Sequence, residues 1–266
     1  IIREVAREKR IELVDAEAAF ASFSPETGVP GEHLFLDHVH FTFEGTWRLA
    51  GLLAAAIRGA GTTDLPSLET CRHRMFFNPW AERQQADIMR ARRHQPPLQT
   101  QAGNDRQIAR LYEIEAACAA RIAETPLSGV EAEFRTLSET APRDFFLPFQ
   151  WGAILAAKDR WAEAVPVLTN ALRQVPGHFE SRVLPAVALC HLGRTEAAAR
   201  ILVGDTARQG RYLAENTMSV LHAMENAGRL AEARRFRDDL LRIAPSFPLR
   251  RAIETYPIGA PRPAVR

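Results

Sequence analysis

The strings LGRTEAAARIL (residues 192–202) and AGRLAEARRF (residues 227–236) carry one pattern twice: a glycine turn, an arginine, then a helix start rich in small residues. Glycine frees the backbone at such a turn, and small side chains let two helices cross closely. Working outward, Pro142, Pro176, Gly210 and Pro245 fall 34, 34 and 35 residues apart, where a helix pair would end. Gly152, Ala164 and Ala171 mark the crowded positions of one unit, Gly193 and Ala198 those of the next, and Gly228 and Ala233 those of the last. A period of this length predicts helix pairs stacked side by side. One pair cannot bury its apolar face alone, so neighbours must share a continuous core.

On those residues, positions 107–248 resemble tetratricopeptide repeats in about four units. The first unit is degenerate, with Cys118 and Val130 where small residues are usual, and the third lacks its terminal proline. The resemblance implies a groove for a protein or peptide partner. Arg106, Arg110, Gln150, Arg182 and Asn216 are possible contacts, without the dense basic clamp that a C-terminal carboxylate would want. Phe145, Phe146, Phe149, Trp151 and Trp161 either line that groove or fill the core between repeats; at helical spacing the second is the commoner outcome.

Composition narrows the function classes. The 266 residues are enough for one or two domains with real cores, and 46% apolar with 25% charged residues is an ordinary globular balance. A net charge of +2 argues against a dedicated nucleic-acid binder, which would carry a basic face. Cys71, Cys118 and Cys190 lie far apart with no ligand spacing, so they read as small apolar residues, not as a disulfide set or a metal site. No run of 18 apolar residues would span a membrane.

Residues 1–9 read as a helix, Ile11–Asp15 as a short buried strand and Ala16–Phe23 as a further helical turn. After a Pro30-Gly31 loop comes HLFLDHVHFTFEGTWRLA (33–50), which places Asp37 three residues before His40 and then opens an apolar helix at Gly45. Trp47, Leu49, Leu52, Leu53 and Ile57 are spaced for one buried face of that helix. An aspartate and a histidine so spaced can form the base half of a nucleophilic triad: the carboxylate orients the ring, and the other ring nitrogen takes a proton. His38 and His40 also form an HxH element, but no third metal ligand stands at a suitable spacing. No cofactor motif is present.

The DHVH string, followed by FxFEGxxxLA, resembles the last block of the SGNH/GDSL hydrolases. The resemblance implies that Asp37 is the triad aspartate, His40 the triad histidine, and the preceding helix and IELVD the end of a flavodoxin-like α/β domain. RHQPPLQTQ (93–101) ahead of the repeats is similar to members of that family carrying C-terminal tetratricopeptide repeats. Phe41 departs from the pattern, which often has proline there. No GDS or GxS string occurs, so the nucleophile and oxyanion donors are expected upstream of Ile1, and these residues alone are expected to be inert. Relatives of this architecture often carry an N-terminal anchor, which implies an envelope or extracytoplasmic role.

The expectation is thus a mostly α chain: the end of an SGNH-like α/β domain (1–62), a helical connector (63–106), tetratricopeptide-like repeats forming an α-solenoid (107–248), and a proline-rich tail (249–266) that is disordered from Tyr256. Its function is either ester hydrolysis by the parent domain or interaction through the repeats alone.

Overall fold

Helix-favouring sequence dominates the chain, and the computed structural model is mostly α. It describes every residue except 25, 27, 38, 59–64, 177–178, 205–209, 245–249 and 261–266. Two compact units result, Ile1–Pro126 and Leu127–Arg266.

In the first unit, α1 (Ile2–Lys9) ends on Arg10 and α2 (Ala16–Ser22) is capped by Asp15, whose carboxylate accepts from the Ala18 N–H. The segment between them, expected as a buried strand, pairs with no other strand among the described residues. Ile11 is 62% exposed there. An isolated segment has no ladder to satisfy its backbone, so its β-branched pattern does not become a strand.

Helix α3 (Phe43–Arg58) starts where Thr42 accepts from the Gly45 N–H. Gly45 is required by space, since a Cβ would come 2.2 Å from the Leu34 carbonyl oxygen. The apolar face expected on α3 is only partly covered, with Trp47, Leu49 and Leu52 half-buried and Leu53 and Ile57 exposed. Helix α4 (Leu68–Arg74) packs on α3. Helix α5 (Pro79–Arg93) begins with proline at its first turn and Asn78 as its cap. It packs along α6 (Asn104–Glu124).

The second unit begins with α7 (Leu127–Thr140). Three helix pairs follow: α8 (Phe146–Ala157) with α9 (Trp161–Gln174), α10 (Val183–His191) with α11 (Thr195–Val203), and α12 (Gly210–Asn226) with α13 (Leu230–Ile243). A short α14 (Arg250–Glu254) packs on α12 and α13. The boundary between units falls inside the first expected repeat, whose leading helix α6 packs with α5 instead.

The turns within the three pairs are alike in backbone. The three turns within pairs place Asp159, Gly193 and Gly228 at φ of 56°, 71° and 70°. Each turn closes alike, with Arg160, Arg194 and Arg229 N–H donating to Leu155, Leu189 and Met224 carbonyls at 2.9, 2.8 and 2.8 Å. Such bonds satisfy the carbonyls left open at a helix end. Close crossing accounts for Gly152, where a Cβ would come 2.5 Å from the Leu168 side chain, and Ala164, Ala198 and Ala233 are fully buried.

One core runs through α10 to α14 around Leu202, Leu221, Met224, Phe236 and Leu240. It includes Ile253 and also Ile258, which lies within the stretch from Tyr256 expected to be disordered. Tyr256 donates to the Glu225 carboxylate at 2.6 Å, and the Gly259 N–H donates to it at 2.8 Å. Pro245 and the last six residues lie outside the described residues. Among the described residues, no helix is long and apolar enough to cross a membrane.

Candidate active site

The Asp37–His40 loop is anchored from below and tied off at its neck. Leu36 enters a core with Ala86 and Met89 of α5 and Leu111 of α6. Across the neck, the Leu36 N–H donates to the His40 carbonyl at 2.7 Å and the Thr42 N–H to the Leu34 carbonyl at 2.9 Å. Phe35 and Phe41 face each other as an isolated antiparallel bridge, with rings 4.7 Å apart, and Phe20 packs on both. Phe41 therefore has a structural reason to stand where the resembled pattern has proline. Arg110 of α6 completes the support by donating to the carbonyls of Phe35 and Glu32.

Within this frame the Asp37 carboxylate is enclosed and fully engaged. Oδ1 accepts from the backbone N–H groups of Val39 and His40, at 2.8 and 2.7 Å, and Oδ2 lies 2.7 Å from His40 Nδ1. Burial pushes the Asp37 carboxyl up, but the Val39 and His40 N–H donors and the imidazole outweigh it and hold the group below the usual carboxylate range. The His40 side chain is 42% exposed. Its Nε2 lies 3.1 Å from Arg92 Nη1. A guanidinium can only donate, so Nε2 accepts and the ring proton sits on Nδ1, toward Asp37. That tautomer is the one a general base needs, with its lone pair on the outer nitrogen.

The pair expected from sequence is thus brought together, and no hydroxyl or thiol among the described residues pairs with His40 Nε2. Ser24 Oγ instead stands 3.5 Å from His33 Nε2, too long for a strong hydrogen bond. His38 lies outside the described residues. No group of three or more His, Cys, Asp or Glu side chains that could hold a metal ion occurs among the described ones.

Sequence reading missed the arginines around the loop. Arg110, expected as a groove contact, is a loop brace. Arg92 and Arg93 stand side by side in the last turn of α5, yet one meets His40 and the other is buried. Two arginines side by side in a helix give no sign of which one turns inward.

In the second unit, Gln150, Arg182 and Asn216 are buried and do not present themselves to a groove. Arg182 donates to the carbonyls of Ile201 and Pro176, both at 2.8 Å. Trp151 is core, stacked on Phe134 at 5.6 Å, and Trp161 stacks on His191 at 3.9 Å. Phe146 remains exposed. Set against protein-family models, curated proteins and solved structures, the chain matches none of them.

Proposed function

We propose that Asp37 and His40 are the base half of a serine ester hydrolase of the SGNH type, joined to tetratricopeptide-like repeats that hold a protein partner or an extended substrate. The observation that carries this reading is the polarity of the pair: a buried, ionised carboxylate fixes the proton on Nδ1 and leaves the Nε2 lone pair facing outward. In an assembled site, a serine from outside these 266 residues would stand at Nε2 and pass its proton there as it attacks an acyl ester. Asp37 would then stabilise the imidazolium, and the ring would return the proton to the departing alkoxide. The exposed apolar residues Ile2, Val5, Ile11 and Leu13, with Leu53 and Ile57 of α3, are surfaces that a larger α/β domain would cover.

A second reading is favoured by Arg92, which occupies the place at Nε2 that a nucleophile would need. On that reading the hydrolase fold is vestigial, and the protein is a non-catalytic interaction scaffold whose working part is the repeats.

Hydrolysis of p-nitrophenyl acetate by the protein as its gene encodes it separates the two. The hydrolase reading expects turnover that falls about 10²- to 10⁴-fold in His40→Ala. Turnover that is absent, or equal in both proteins, would leave the scaffold.

A further inference from the structure

The last turn of α5 carries a second feature, on the other arginine. Arg93 is 4% exposed, yet no carboxylate among the described residues lies within ion-pair distance of it. Its Nη1 donates to the Asn104 amide oxygen at 3.2 Å, and Asn104 returns a bond to the Arg93 carbonyl at 3.2 Å. Its Nε is buried and has no hydrogen-bond partner. A guanidinium cannot shed its charge, so a buried one facing only a neutral amide is a costly arrangement.

Arg93 also lines a cleft of about 460 Å³, together with Pro30, Glu32, Phe35, Gln101 and Gln107. That volume suits a small organic ligand. The acids along this cleft are already committed. Glu32 accepts from Gln107 at 3.0 Å and lies 3.6 Å from Arg110, and Asp37 is saturated by its three donors. Arg93 is not.

The geometry points to a binding subsite in this cleft for a small organic carboxylate, held through the Arg93 guanidinium. A planar guanidinium matches the two-oxygen edge of a carboxylate. With two carboxylates in the same lining, a singly charged ligand is repelled less than a dianion such as phosphate. Gln101 offers a neutral amide, and Pro30 with Phe35 an apolar wall for the ligand body. This inference stands whether or not His40 is catalytic.

The test follows the Arg93 Nε–Hε resonance in ¹⁵N-labelled protein, identified by its loss in Arg93→Gln, during titration with acetate, inorganic phosphate and chloride at constant ionic strength. The expected result is a saturating shift with acetate, none with chloride, and phosphate weaker than acetate. Followed on the backbone N–H signals of Gln101 and Ala102, which line the same cleft, Arg93→Gln should bind acetate about tenfold or more weakly, as loss of a charge-assisted contact requires. Gln101→Ala, on the exposed side, keeps the fold testable if the first variant does not fold, and should weaken acetate while leaving the Arg93 signal in place. A linear shift, an equal response to chloride, or phosphate saturating before acetate would overturn the assignment.

Discussion

At the scale of single residues, the Asp37 carboxylate does most to hold the loop in shape. It collects two backbone N–H groups and an imidazole while shielded from water, whereas His40 is half open and rests on the carboxylate. The two residues should therefore separate by mutation. Asp37→Ala should cost the first unit about 1–3 kcal/mol in urea unfolding, because three donors lose a charged acceptor. His40→Ala should cost under about 1 kcal/mol, as expected for an exposed partner. Because the folded Asp37 carboxyl lies below its ordinary value, its contribution is complete above the usual carboxylate range. It fades as pH falls through the lowered value, so the gap between wild type and Asp37→Ala should narrow only in acid. A gap that instead closed above neutrality would show that another group holds the loop. The Asp-x-x-His spacing made this pair legible in sequence. The braces were not legible: Arg110 and Arg92 reach the loop across 75 and 52 residues of chain, and no local pattern records such contacts.

Whole elements show which patterns are robust. The repeated turn was readable because it rests on a local requirement: the second residue after each first helix takes a positive φ, which glycine meets at 193 and 228. Asp159 fills the same place at 56° in the first of the three turns, a conformation aspartate tolerates but does not favour. Asp159→Gly should therefore stabilise the second unit by about 0.5–1 kcal/mol. Gly193→Ala should destabilise it by a similar amount, both read by thermal unfolding. A loss in Asp159→Gly would mean that its carboxylate contributes more than its backbone costs. Ile11–Asp15 shows the converse. Its apolar alternation fits a strand, but a strand exists only with a neighbour, and the described residues supply none. The spacing on α3 likewise identifies an apolar face without saying what covers it.

For the molecule as a whole, periodicity overreached at one point. The 34-residue spacing runs back through residue 107, yet α6 shares its core with α5 and the Asp-His loop, and the compact units divide at Pro126. A degenerate first unit, with Cys118 and Val130 at crowded positions, was the sign available in sequence. Helix content and pairing in the second unit were well marked, because small residues and turns recur there at fixed intervals. The ordered segment at residues 256–260 was hidden by its prolines, which suggest disorder unless Tyr256 and Ile258 are weighed as anchors.

The central claim, that Asp37 and His40 form a working base pair, is tested most directly by fluorophosphonate labelling of the protein as its gene encodes it, read by intact mass. The account predicts a single adduct on a serine, lost in His40→Ala and strongly slowed in Asp37→Ala. A folded protein that takes no adduct, or one labelled equally with and without the imidazole, would contradict it.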